Sequence, residues 1–198
     1  MHHEQNAKAA FTLVELMIVA ALLGGVLGGL GLVLHTAGRS YRSSQAAMEL
    51  NHHGGQALRR IVDALRSADT DSIQTVPAAP FWTSSIEYRA NQGYHGQQSL
   101  WTPPRRFRLD PGTDTLTWTE SAGLPEELQS GVCTGVPALL SGELMNGADD
   151  NGNGLIDEAG LCFVRSGDLV SVYLTVQRPG PDGEPLSRTW TASVLCRN

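Results

Sequence analysis

The sequence predicts an α+β protein: a long N-terminal helix, apolar in its first half and amphipathic in its second, packed on an antiparallel β-sheet head. Three observations predict it. Phe11 to Leu34 is an apolar run of 24 residues that carries one charge, Glu15. From His35 to Ala68 the chain turns polar but keeps helical spacing. Beyond Thr70 it breaks into short β-like runs separated by Gly, Pro and Asp.

The chain divides on this reading into a leader (1–10), an apolar half of the helix (11–34), an amphipathic half (35–68) and a β-rich head (69–198). As a helix the apolar run reaches about 36 Å, sufficient for a bilayer core. It is too long for a secretory signal peptide, and the small residues Ala7, Ala9 and Ala10 precede it instead of following it. A plain membrane anchor leaves Glu15 unexplained, since a carboxylate inside a membrane helix costs about 2.5–3.5 kcal/mol. Such a charge requires a partner.

In the second half, Leu58, Ile61, Val62 and Leu65 form an i, i+3, i+4, i+7 stripe that points this segment at the sheet. Tyr41, Met48, Gly55 and Val62 recur every seven residues. Arg59 and Asp63 are spaced to pair, and Gly54-Gly55 is the expected weak point or bend. The adjacent His52 and His53 cannot both face one metal from a helix. In the head, strands are expected at Ser84–Arg89, Arg106–Leu109, Thr115–Thr119, Leu169–Gln177 and Arg188–Leu195, with Leu161 to Val164 also strand-like. Asp110-Pro111-Gly112 marks one hairpin turn, and the Pro/Gly-rich segment 178–187 joins another. Arg105, Arg106 and Arg108 alternate with Phe107 and Leu109, which makes them the solvent side of a strand.

Charge and composition exclude several functions. Residues 1–68 hold six basic and four acidic side chains, and the remainder eight and sixteen. An acidic head is the wrong surface for coating nucleic acid, so no nucleic-acid partner is expected. Lys8 is the only lysine, which removes a Schiff-base lysine or a phosphate-binding GK[ST] loop from the head. His95 is the only histidine beyond residue 53, so a His-rich zinc site or a Ser-His-Asp triad there is not expected. No nucleophile and base converge in the pattern, and the chain is not expected to be an enzyme.

The segment KAAFTLVELMIV resembles the N-terminus of type IV prepilins and type II secretion pseudopilins. The resemblance implies cleavage between Ala10 and Phe11 by a prepilin peptidase, followed by N-methylation of Phe11. Glu15 would then be the fifth residue of the mature chain, and the Phe11 ammonium of one subunit would neutralise Glu15 of its neighbour. Ala10 stands where the family usually has Gly, and Leu32 where many major pilins have a kinking Pro. Gly24, Gly25, Gly28, Gly29 and Gly31 form GxxxG spacings that permit close helix packing. Residues 39–69 and the VLCRN terminus are similar to PilW-type minor pilins and J-type minor pseudopilins. The expected fold is therefore pilin-like. The expected role is structural, in a type IV pilus or a type II secretion pseudopilus. The alternative is a membrane-anchored, calcium-dependent adhesin or DNA-uptake pilin. The implied partners are other pilin or pseudopilin subunits, the prepilin peptidase and the bacterial inner membrane. The charge count alone would weakly favour the opposite orientation, since Arg39 and Arg42 follow the span. The cytoplasmic leader and the exported head rest on the resemblance.

Two features of the head remain. In DDNGNGLIDE, Asp149, Asn151, Asn153, the Leu155 carbonyl and Asp157 fall at positions one, three, five, seven and nine of an EF-hand-type calcium loop, with Gly154 at six. Gly160 occupies position twelve, where a bidentate Glu belongs, so Glu158, Asp150 or water must close the shell. A bound structural Ca2+ of affinity on the order of 10⁻⁴–10⁻³ M is expected. An Asx/Gly-rich turn is the alternative. Cys133, Cys162 and Cys196 all lie in the head, and an exported head predicts one disulfide. Cys133–Cys162 would cinch the acidic loop, and Cys162–Cys196 would staple the C-terminal strands.

Overall fold

The computed structural model describes residues 12–73, 76–180 and 183–196. The chain separates into two compact units, residues 1–44 and 45–198, and one helix, α1 (Leu13–Arg66), contributes to both. The helix starts where Thr12 and Glu15 form a capping box. Thr12 Oγ1 accepts the Glu15 N–H at 3.3 Å, and Glu15 Oε2 accepts the Thr12 N–H at 3.2 Å. Two amide donors that the first turn leaves without helical partners are thereby satisfied. At the other end, Ser67 Oγ donates to Ala64 O, and Arg66 in the last turn complements the helix dipole.

In the first unit, α1 is long and apolar enough to cross a membrane, and none of that stretch is buried. Leu13, Leu22, Val26 and Leu32 are each about two-thirds or more exposed. The glycines at 24, 25, 28, 29 and 31 do not interrupt the helix.

In the second unit the helix buries Leu50, Gly54, Ala57, Ile61 and Leu65. This is the stripe expected from the sequence, rotated by one flank: Leu58 and Val62 are only partly buried beside it. At Gly54-Gly55, the expected weak point, the helix continues without interruption. A Cβ on Gly54 would overlap the indole ring of Trp190, so the glycine is a seat for that ring and not a weak point. Asp63 pairs with Arg66 at 3.4 Å rather than with Arg59.

Among the described residues nine strands follow, all paired antiparallel. One sheet has the order β1–β4–β5–β6, from Ser85–Tyr88, Arg105–Asp110, Thr115–Glu120 and Leu128–Thr134. β2 (Asn91–His95) and β3 (Gln98–Trp101) form a separate hairpin. β7 (Leu161–Ser166), β8 (Leu169–Pro179) and β9 (Pro185–Leu195) form the third sheet. The predicted β4–β5 hairpin turns at Asp110, whose carboxylate accepts from Gly112 N and Thr113 Oγ1 and is held below its ordinary pKa by those two bonds, the Thr113 bond first. A bridge between Thr83 and Phe163 joins the strand-β1 approach to β7.

The core takes Ile61 and Leu65 from α1, Ile86, Tyr88, Phe107 and Leu116 from the first sheet, and Phe163, Val172 and Leu174 from the third. Each such side chain is worth about 1.5–3 kcal/mol of transfer free energy when fully buried. The arginines of β4 lie outside this core: Arg106 and Arg108 alternate with Phe107 and Leu109, and Arg105 stands at the start of the strand. Arg105 pairs with Glu120 at 2.9 Å and Arg106 with Glu87 at 2.8 Å, each across the strand register, so internal carboxylates neutralise them.

Candidate functional site in the acidic loop

Residues 135–160 connect β6 to β7 without a regular element. The segment is nevertheless anchored. Leu155 is 2% exposed and packs with Cys162 and Val164 of β7, beside Trp82 and Tyr173. The Trp82 indole N–H donates to Ile156 O at 2.8 Å. Leu140 N donates to Glu158 O at 2.8 Å, and Thr175 N to Gly160 O at 2.7 Å. Gly160, at the position where a calcium loop carries its bidentate Glu, is required by packing: a Cβ there would overlap Pro137 O.

The loop's carboxylates fall into two groups. Asp149, Asp150 and Asp157 bind the loop's own amides. Asp149 Oδ1 accepts from Gly152 N at 2.7 Å and Asn153 N at 3.1 Å, while Oδ2 accepts from Gly154 N at 2.8 Å. Asp157, at a φ of 50°, accepts from Asn146 N and Gly147 N. Asp150 Oδ2 accepts from Leu144 N and from the Asn146 side-chain amide. Asn151 and Asn153 continue the pattern, their side-chain carbonyls accepting from Asn153 N and Leu155 N. The two asparagine bonds, each to the amide two residues on, are Asx turns, as the alternative raised by the composition has it.

Glu143 and Glu158 differ. Glu158 is fully buried and Glu143 is 6% exposed. Both face Asn151: Glu143 Oε1 accepts its backbone N–H at 2.9 Å, and Glu158 Oε1 accepts its side-chain N–H at 2.7 Å. The side-chain amide of Asn153 also reaches Glu158 Oε1. The second oxygen of each carboxylate is buried and has no hydrogen-bond partner. Glu143 was not among the residues picked out by the calcium-loop register. It precedes the loop by six positions, and nothing in the DDNGNGLIDE pattern reaches back to it. Among the described residues no three His, Cys, Asp or Glu side chains gather in one place.

The three cysteines are free thiols in this structure, and all are buried. Cys133 and Cys196 belong to the main core, whereas Cys162 lies in the small cluster around Leu155. Cys162 is level with Tyr173 on β8, while Cys196 follows Leu195, which is level with Leu169. Four residues of strand, about 13 Å, separate those levels, beyond the reach of a disulfide. Cys133 and Cys162 pack in separate clusters on separate sheets, so the loop is cinched by Leu155 and Trp82 instead. Burial pushes each thiol above its ordinary pKa, and the nearby Glu158 adds to that for Cys162. They behave as small core hydrophobes.

At the other end of the chain, Ala10 and Phe11 lie outside the described residues. Glu15 lies within them, and its carboxylate closes the capping box described above. The T-x-x-E signature was present in the sequence as Thr12 to Glu15. No protein-family profile matches the chain, and neither a curated protein nor a solved structure matches it.

Proposed function

We propose that this chain is a structural, non-catalytic subunit of a type IV pilin-like filament, either a minor pilin or a type II secretion minor pseudopilin. On this reading a prepilin peptidase cuts between Ala10 and Phe11, the apolar half of α1 sits in the bacterial inner membrane, and the head is exported. The observation that carries the reading is a single carboxylate, Glu15, at the start of a long exposed apolar helix, directly behind the short polar leader. Thr12 supplies hydrogen bonds to that carboxylate but no charge. A neighbour's freed Phe11 ammonium would supply the charge, turning two groups that are costly in lipid into one ion pair.

Two measurements test it. Mass spectrometry of the membrane-extracted protein is expected to show N-methylated Phe11 as the first residue; an intact Met1 in cells holding the peptidase sinks the reading. Glu15→Ala is expected to insert normally but to drop out of filaments. Thr12→Ala separates the local role of the carboxylate from the intersubunit one. It removes the cap, worth about 0.5–2 kcal/mol, keeps the charge, and should leave incorporation near the wild-type level.

A further inference from the structure

The chain has three Asn-Gly links, 146–147, 151–152 and 153–154, and all lie in the acidic loop. Such a link rearranges on its own more readily than others, because glycine has no Cβ to hinder the approach of its backbone nitrogen. Hydroxide takes the proton from that nitrogen, which then attacks Cγ of the asparagine. The N–Cγ bond closes a succinimide ring, the Cγ–Nδ2 bond breaks, and the side-chain nitrogen takes a proton from water and leaves as ammonia. A second water opens the ring at one carbonyl or the other, giving aspartate or isoaspartate.

The structure holds both nitrogens of every one of these links on a carboxylate. Gly152 N donates to Asp149 Oδ1 at 2.7 Å and Gly154 N to Asp149 Oδ2 at 2.8 Å. Gly147 N donates to Asp157, 3.0 Å from Oδ1 and 2.9 Å from Oδ2. The departing nitrogens are held likewise: Asn146 Nδ2 by Asp150, and Asn151 and Asn153 Nδ2 by Glu158. The side-chain oxygens of all three asparagines accept from the amide two residues on, which fixes Cγ in place. A carboxylate that accepts a glycine N–H favours the protonated amide and repels the anion that must form for attack.

We propose that Asn146, Asn151 and Asn153 are sites of spontaneous conversion to aspartate and isoaspartate, held back by Asp157 and Asp149 while the loop is closed. Asp149 guards two links and Asp157 the third. Conversion at Asn151 or Asn153 is also a step without return. It removes an N–H donor from Glu158, which is fully buried and whose Oε2 already has no partner, and sets a new carboxylate against it. No Lys, Arg or His occurs from residue 136 to residue 164 to offset that charge, so the loop must open. The proposal does not depend on membership of a filament, and its failure would leave the processing of Phe11 untouched.

The test incubates the full-length chain in detergent micelles at mildly alkaline pH in heavy-oxygen water, so that each ring opening inserts a labelled oxygen. Peptic digestion in acid, which stops ring closure, and fragment mass spectrometry then read each asparagine separately. All three should convert readily in denaturant and much more slowly in the folded chain, where the reaction waits on local opening. Asp149→Ala should speed conversion at Asn151 and Asn153 by about 10- to 100-fold, the worth of a hydrogen bond to a charged group, and leave Asn146 at the wild-type rate. Asp157→Ala should do the reverse and speed Asn146 alone. Melting curves check that each variant keeps the head folded, and if Asp149→Ala does not, Asp157→Ala decides. Asn151→Asp and Asn153→Asp, which stand for the product, should each lower the melting midpoint by several degrees, whereas Asn146→Asp, at an exposed position, should barely move it. Equal rates in the folded and denatured wild type, a uniform rise at all three asparagines in Asp157→Ala, or no conversion in denaturant would each overturn the proposal.

Discussion

The two parts of α1 carry the same residue type to opposite ends. In residues 13–44 the glycines at 24, 25, 28, 29, 31 and 38 have nothing within 4 Å of where a Cβ would stand. In residues 45–66, Gly54 has a tryptophan ring there. Each glycine costs the helix about 1 kcal/mol relative to alanine. At Gly54 the chain itself supplies the return: the Trp190 indole lies on the helix backbone, while Arg188 sits over the same ring at 5.7 Å and bonds Asn51. At Gly24 to Gly31 a single copy supplies none. The contrast extends to the apolar side chains, buried to 0% at Ile61 and Leu65 but more than half exposed from Leu13 to Val19. One segment is specified by its own fold. The other leaves its apolar side chains exposed and its small residues without a neighbour in the chain.

Large-to-small substitutions should separate the two parts most sharply. Ile61→Ala removes a fully buried side chain and should cost the head about 2–5 kcal/mol, a drop in melting midpoint of several degrees. Leu23→Ala, on the exposed part, should leave the head's melting in detergent unchanged. Equal effects would mean that the apolar part belongs to the same cooperative core. Glycine substitutions come next. Gly54→Ala gains about 1 kcal/mol of helix propensity but overpacks a rigid ring at about 1–3 kcal/mol, so a net loss is expected. Trp190→Leu should then cost less in the Gly54→Ala background than in the wild type, since the two sites are in contact. Gly28→Ala meets no atom in the chain and should be neutral or stabilising in detergent. A fall in filament incorporation for that variant, with unchanged melting, would show that the small residues serve packing between subunits.

The sequence made the helix legible because its two periodicities, continuous and then 3.6-residue, run for many turns. The hairpins β4–β5 and β8–β9 were equally plain, each being an alternating run on either side of Pro and Gly. The β2–β3 hairpin escaped because its strands, Asn91–His95 and Gln98–Trp101, bury no residue fully and so carry no alternating apolar core face. Its only mark is the two-residue turn at Gly96. β6 was missed for a similar reason: it is an edge strand with a single buried residue, Cys133. Gly54 could not be read as a seat without Trp190, which lies 136 positions away. Glu143 shows the same limit at the candidate site. The acidic register was visible in one decapeptide, but the two carboxylates that are buried and short of partners are brought together by tertiary folding. Glu15 is the reverse case, where two local readings of one residue coexist in the sequence and the structure displays the capping one.

The smallest expected effect concerns the polar side of the head-bound part of α1. Arg60 lies over the Trp118 ring at 5.1 Å, and Trp118 in turn donates its indole N–H to Tyr88 OH at 3.0 Å. Tyr88 is stacked on Phe107 and buried, which raises its pKa, so that hydroxyl stays protonated and available to the indole. A cation over an aromatic face near the surface is worth about 0.5–1 kcal/mol. Arg105 also lies over Trp118, at 5.7 Å, and is fixed there by Glu120. With one guanidinium remaining after the other is removed, Arg60→Ala should fall at the lower end of that range. Arg42→Ala, on the same helix but exposed in the first unit, should change nothing. Denaturant midpoints at constant slope measure both. The informative comparison is Arg60→Ala in the Arg105→Ala background, where no cation remains over the ring. A larger loss there than in the wild type would show that the two arginines substitute for one another over Trp118. An equal loss would mean that the contact of Arg60 with the sheet rests on its methylene stem alone.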